Sequence, residues 1–178
     1  MVFVAVTAAL ICICSWITVP YTVPFTMQTF AVFFALLTLG GADGTMATGL
    51  YILLGMVGLP VFSGFTGGIG HIIGPTGGYI VGFIFMGIIY MAFERFLGKK
   101  TWMRIVSLVV GLLVCYLFGS LWFAAVYSSQ GKEIEFFKIF TICVVPYIVP
   151  DMVKLALATA LSVRVRKALE SGDRDEHR

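Results

Sequence analysis

Charge is scarce in this chain. Of 178 residues, 12 are lysine or arginine and 9 are aspartate or glutamate, 12% in all. A soluble domain carries about 25% charged residues, because its surface must be hydrated. The deficit, with 60% hydrophobic residues and a mean hydropathy of +1.01, excludes a water-exposed globule and places the chain in lipid. A net charge of +3, with its carriers gathered at the ends of apolar runs, argues against a nucleic-acid partner. No Gly-Lys-Ser/Thr ending closes any glycine-rich stretch, so phosphate and magnesium have no nucleotide loop to hold them. Transport driven by ATP hydrolysis would therefore borrow its ATPase from another chain. No serine–histidine pair, H-E-x-x-H or paired aspartates stand at membrane depth, so no catalytic residue is expected and the chain does not read as an enzyme. Cysteine is sparse as well. Cys12, Cys14, Cys115 and Cys143 lie in apolar runs with no CxxC spacing and no adjacent histidine. They read as small buried hydrophobes, with no metal, disulfide or cofactor expected. The first apolar run has no basic lead-in and continues into further membrane sequence, which argues against a cleaved signal peptide.

What is present is apolar sequence in span-sized runs. A membrane helix needs about 20 apolar residues, and somewhat fewer where the bilayer thins. Six runs are candidates: Val2 to Val19, Met27 to Leu39, Thr45 to Gly58, Ile72 to Phe93, Trp102 to Val126 and Phe136 to Val163, the second and third short enough to be tilted or partly embedded among the others. The expected fold class is thus an all-α integral membrane protein with six transmembrane helices. Its membrane domain covers residues 1–168, followed by a charged tail at 169–178. Arg95, Lys99, Lys100 and Arg104 flank the fourth-to-fifth turn, and Arg164, Arg166 and Lys167 follow the sixth span. Such clusters stay in the cytoplasm. Both termini are then cytoplasmic.

Two charges do not belong in lipid. Asp151 and Lys154 lie inside the sixth span after "VVPYIVP", three residues apart and hence on one helical face. A charge at that depth costs about 2.5–3.5 kcal/mol on insertion scales. One reading is a mutually neutralising structural pair. The other is a polar anchor for a ligand, beside a helix break opened by Pro146 and Pro150. An aspartate accepts hydrogen bonds and a lysine donates them, so the pair suits a ligand bearing both N–H groups and oxygens. A second polar patch, Thr18, Tyr21, Thr22, Thr26, Gln28 and Thr29 around Pro20 and Pro24, reads as an extended turn that could form a wall.

The stretch "GLPVFSGFTGGIGHIIGPTGGYIVGF", Gly58 to Phe83, is rich in glycine yet has no charged residue. Gly70, Gly74, Gly78 and Gly82 recur every four residues, a stripe that lets helix backbones approach closely. Packing accounts best for Gly78 and Gly82. Gly64, Gly67, Gly68 and Gly77 read instead as backbone turns beside a ligand or another segment. Thr76 and Tyr79 bring polar atoms among them, and His71 reads as interfacial.

These residues carry a resemblance. "VPFTMQT", "LYILLGMVGLPVFSGFTGGIG", "GPTGGYIVGF" and "VPDMVK" resemble BioY, the family of biotin-binding S components of energy-coupling factor (ECF) transporters, over nearly the whole chain. The resemblance implies six membrane helices in a prokaryotic cell membrane, with biotin bound near the outer side and no cofactor. It implies a partner module of a membrane coupling protein and two ATPases. It carries ligand contacts onto Asp151, Lys154 and the glycine-rich loop, making Gly64, Thr76, Gly77, Tyr79 and Gln28 candidate biotin neighbours. It carries a docking motif onto Ala5 and Ala9 of the first span. The "GGADG" turn with Asp43 departs from the basic residue that relatives often place there. The competing reading is a membrane scaffold that packs through glycine stripes, a feature that also admits self-association.

Overall fold

The computed structural model describes residues 1–20, 23–98, 100–131 and 135–176, without the side chains of Phe136 and residues 168–176. Tyr21 and Thr22 of the polar turn, Lys99 of the basic turn, and His177 and Arg178 of the tail lie outside the described residues. The fold is helical. α1 spans Val2–Trp16, α2 Gln28–Leu39, α3 Gly41–Met56, α4 Ile69–Ile73, α5 Gly77–Phe96, α6 Thr101–Ser129, α7 Phe136–Cys143 and α8 Val145–Glu176. Two strands, β1 (Thr18–Val19) and β2 (Phe25–Thr26), pair antiparallel between α1 and α2. The prolines of this connection keep it extended, and the strands turn it into a small hairpin.

Among the described residues, three helical stretches are long and apolar enough to cross a membrane: Gly77–Phe96, Thr101–Ser129 and Phe137–Lys167. α1 and α2 are apolar but shorter. Large apolar side chains also face outward. On α6, Leu113, Leu117 and Leu121 are exposed, and on α8 Val149, Val153, Leu157 and Leu161 are exposed. Each set recurs every four residues, which aligns it on one helical face. Water would penalise such stripes and lipid does not, so this is a membrane protein.

The expected spans are subdivided in three places. The first ends early, because the chain leaves α1 at Trp16 and enters β1. The fourth begins with the separate short helix α4, and Gly74–Pro75–Thr76 turns the chain before α5. The sixth is broken at Val144, with φ −123° and ψ −53°. Pro146 has no N–H to return to Ile142, so α7 cannot run on into α8 without losing a hydrogen bond. The expected break is present two residues upstream of Pro146, whereas Pro150 sits inside a continuous α8.

Glycine sets how closely the helices approach. α2 and α3 are joined through Gly40 alone, at φ +89°, a conformation that favours glycine. A Cβ on Gly44 would lie 2.8 Å from Leu36 Cα, so the two backbones are nearly in contact. α5 and α6 form the most extensive helix pair. Gly78 faces Trp122, Gly82 faces Cys115, and from the other helix Gly111 faces Met86 and Gly119 faces Tyr79. The stripe legible at Gly78 and Gly82 therefore has a reciprocal one on α6. Cys12, Cys14, Cys115 and Cys143 are free and buried in this core.

Gly82→Leu drives a side chain into Cys115, whose Sγ is 2.7 Å from the Cβ position. Overpacking of this kind costs about 1–3 kcal/mol, so the thermal midpoint of the detergent-solubilised protein should fall measurably. Gly70→Ala meets open space and should leave the midpoint nearly unchanged.

Candidate functional site

Asp151 and Lys154 are 3% and 4% exposed on α8, about two and three turns beyond the break at Val144. Burying a carboxylate or an ammonium costs several kcal/mol per ion unless partners replace water. Here they do. Lys154 Nζ donates to Asp151 Oδ1 at 2.8 Å and to the backbone carbonyl of Thr26 at 2.7 Å. It also lies 4.1 Å above the Phe25 ring, whose negative face attracts the cation. On the other oxygen, Tyr116 of α6 donates its hydroxyl to Asp151 Oδ2 at 2.6 Å. Three segments thus converge on one ion pair. The pair is neutral overall, yet the carboxylate has two partners for about four lone-pair sites and can accept more.

The pair lines a cavity of about 640 Å³ of empty space, counting its open mouth. Val23, Pro24, Ile80, Phe83 and Leu112 supply apolar walls. The β-hairpin forms one wall, and Tyr147 donates its hydroxyl to the carbonyl of Val23 to hold it there. Gln28 lines the cavity, and its buried Nε2 has no hydrogen-bond partner among the described residues. Tyr79 also lines it and shares a 3.3 Å contact with Ser120. Thr76, Ser63 and His71 border the cavity from the glycine-rich loop. The site therefore offers apolar walls, a buried acceptor-and-donor pair and a more exposed polar edge. That combination suits an organic ligand with a polar head and a hydrophobic body.

The loop that bears Ser63 is pinned to α1. Trp16 stacks on Phe65 with ring centroids 5.0 Å apart and donates Nε1 to the Pro60 carbonyl at 2.8 Å. Ser15 donates to the Val61 carbonyl. Behind the loop, Phe62 stacks on His71 with centroids 5.1 Å apart and sets its edge against Tyr51. His71 Nδ1 lies 3.1 Å from Thr66 Oγ1. Burial holds His71 below the ordinary imidazole range, which favours the uncharged ring in this stack.

Of the candidate neighbours, Asp151, Lys154, Gln28, Thr76 and Tyr79 line one cavity. Gly64 and Gly77 do not. Gly64 takes φ +69° within the Ser63–Phe65 turn, and its Cβ position faces open space. Its hydrogen side chain serves the turn. Gly77 does not have a positive φ; a Cβ there would collide with the Ile72 carbonyl, so it lets α4 fold back on α5. His71, read from sequence as interfacial, borders the cavity instead. Sequence reasoning passed over Tyr116 and Tyr147. Their signal was a phenolic hydroxyl inside an apolar span, where a polar group needs a partner. Ala5 and Ala9 are both exposed on α1, and neither lines the cavity. Ala5 instead borders an apolar groove formed with Met46, Gly49, Leu50 and Leu53 of α3. Among the described residues, no three His, Cys, Asp or Glu side chains gather as metal ligands would.

Comparison with known proteins gives this geometry a context. The profile of the BioY family matches residues 1–171. A protein named probable biotin transporter BioY from Pyrococcus horikoshii is 42% identical over 144 residues, 81% of each chain. The biotin transporter BioY of Thermotoga maritima is 36% identical over 160 residues, covering 89% of this chain and 90% of its own. A crystal structure of the S component for biotin from an ECF-type ABC transporter superposes with a TM-score of 0.81 at 24% identity, over 93% of this chain and 89% of that one. That likeness shows the fold.

The ion pair makes a stability prediction independent of any ligand. Lys154→Met strands a buried carboxylate, and breaking a buried pair from one side costs about 3–5 kcal/mol. Lys154→Met combined with Asp151→Asn removes the stranded charge and should recover part of that loss. Chemical denaturation in detergent reads the order. A double variant less stable than Lys154→Met alone would contradict the pairing.

Proposed function

The chain belongs to the BioY family, and on that footing we propose that its cavity is a biotin site and that Asp151, Lys154 and Tyr116 form its polar end. The protein is a membrane-embedded biotin-binding subunit for biotin uptake, and the family is one of transport components, not enzymes. The observation that carries the site assignment is the buried carboxylate with lone pairs to spare, facing a cavity with apolar walls. Biotin has a ureido group with two N–H donors and one oxygen, an apolar bicycle and chain, and a carboxylate. Asp151 accepts ureido N–H bonds. The unpartnered Gln28 Nε2 is the available donor for the ureido oxygen. The bicycle packs against Val23, Ile80, Phe83 and Leu112, and the carboxylate points toward Ser63, Thr76 and His71, where water can also reach it. Gly64 and Gly77 support this wall through the backbone and do not touch the ligand.

The remaining assignments join the charge rule for membrane orientation to what membership of the family implies. Six crossings, with α1, α2 and α3 as short tilted passages, put the Arg95–Arg104 turn and the Arg164–Lys167 segment on the cytoplasmic side with both termini. The membrane is the cell membrane of a prokaryote. Membership of the family implies a separate coupling protein and two ATPase subunits that supply the energy, in keeping with a sequence that carries no nucleotide loop. Ala5 and Ala9 lie one turn apart on α1, exposed and small, with an apolar groove beside Ala5. Small residues let another helix approach closely, so this face docks the coupling protein. The scaffold reading is disfavoured, since packing through glycine stripes requires no buried carboxylate facing a cavity.

Isothermal titration with biotin tests the division of labour. Asp151→Asn should weaken binding by about 1.5–3 kcal/mol, the worth of a hydrogen bond to a charged group. Ala5→Trp with Ala9→Trp should keep biotin affinity but lose co-purification with the ATPase module. Unchanged affinity in a monodisperse Asp151→Asn variant would remove Asp151 from the site. Loss of biotin binding in the tryptophan variant would remove the separate docking face.

A further inference from the structure

A second cavity, of about 680 Å³ of empty space counting its mouth, lies between the start of α6, the end of α2 and the later part of α8. Arg104 precedes Tyr116 by 12 residues on α6, and Arg166 follows Asp151 by 15 on α8. At about 1.5 Å per helical residue, this cavity is roughly 20 Å along the helices from the biotin pair. Its polar lining is Thr101, Arg104, Thr159, Ser162, Arg166 and Lys167, and no carboxylate is among its described lining residues. Leu37 and Val163 complete it with apolar surface.

Arg104 is the informative residue. It is 9% exposed, and its Nε has no hydrogen-bond partner. Its one ion pair is loose, Nη2 to Glu94 Oε1 at 3.6 Å, because the other oxygen of Glu94 accepts the Gly41 N–H at 2.8 Å. A buried guanidinium donor left unmatched costs free energy that an oxyanion would recover. Among the described residues, Arg166 Nη1 donates to the Leu37 carbonyl at a long 3.4 Å. Arg104 and Arg166 both border this space, and both also border an adjoining cavity lined by Asp43 and Glu94; their planar forks match phosphate oxygens. The positive end of α6 adds to them. That helix has 29 residues, and its N-cap residue Lys100 makes no side-chain cap to its first N–H groups.

We propose that this cavity binds the phosphate headgroup of an anionic phospholipid. The surroundings favour a lipid over a free anion. Val163, which lines the cavity, is 43% exposed, and Trp102, 58% exposed, follows the lining residue Thr101 on α6, so apolar surface reaches the mouth beside the basic run that begins at Arg164. This is the boundary between acyl chains and headgroups, where tryptophan and cations gather. A phospholipid phosphate would meet Arg104 and Arg166 while its chains lie along that apolar flank. A free phosphate would gain nothing from it.

Native mass spectrometry of the full-length protein in delipidated detergent micelles tests this with three probes: dioleoylphosphatidylglycerol, dioleoylphosphatidylcholine and inorganic phosphate. One phosphatidylglycerol should be retained at least about tenfold more tightly than phosphatidylcholine, and Arg166→Gln should remove about that factor through loss of a charge-assisted contact. Arg104→Gln should do the same. Biotin binding, which uses neither residue, reports whether each variant is folded. If Arg104→Gln fails that check, Arg166→Gln on the opposite wall decides alone. Equal retention of the two lipids overturns the proposal. So does undiminished phosphatidylglycerol binding by folded Arg166→Gln, or displacement of the lipid by millimolar inorganic phosphate, which would make this a free-anion site.

Discussion

A carboxylate buried in a membrane protein must be answered from within the chain, and Asp151 organises the architecture around that requirement. Lys154, one turn along α8, neutralises it. Lys154 then needs partners of its own and takes the Thr26 carbonyl and the Phe25 face from the β-hairpin. The second carboxylate oxygen takes Tyr116 from α6. One charge thus ties the hairpin, α6 and α8 together around a space they do not fill. The same satisfaction that makes the pair tolerable in lipid leaves unused lone pairs facing that space. Under the proposed function, structural pairing and ligand anchoring are two aspects of a single arrangement.

Glycine governs the rest of the frame. α5 and α6 approach through glycines on both helices, which brings Tyr79 and Tyr116 to the same cavity. α2 and α3 meet through Gly40 and Gly44, while Gly41 lets α3 close on Met91 of α5 and donates its N–H to Glu94 near the end of that helix. The loop after α3 bends at Gly64 and Gly68 and is fastened to α1 by Trp16. Rigid helix packing and a pinned loop leave the cavity walls largely preformed, a condition that reduces the ordering cost of binding.

Much of this was legible in the sequence because lipid penalises polarity so strongly. Asp151 and Lys154 stood out as charges at depth, and Gln28, Thr76 and Tyr79 as polar atoms among apolar or glycine-rich neighbours. The glycines were harder to interpret. Spacing does not reveal whether a glycine frees φ, as at Gly64, or frees space, as at Gly77 against Ile72. Tyr116 was missed because a lone tyrosine in an apolar span resembles packing until the chain shows it beside Asp151, 35 residues away. The break at Val144 came from Pro146 as expected, while Pro150 left α8 unbroken. α1, α2 and α3, at 15, 12 and 16 residues, are shorter than the span of about 20 residues on which the counting rests.

The central claim is that the buried end of the cavity recognises the ureido group. Competitive titration of the detergent-solubilised protein with two biotin derivatives tests it most directly, one methylated on the ureido nitrogens and one esterified at the carboxylate. Methylation removes the N–H groups offered to Asp151 and adds bulk at the deepest point, whereas the ester alters only the mouth. The account predicts a loss of roughly 100-fold or more for the ureido derivative and a much smaller loss for the ester, since a site built to hydrogen-bond a group rejects the analogue lacking it. A ureido-methylated ligand that binds as well as biotin, with the ester losing affinity instead, would contradict it.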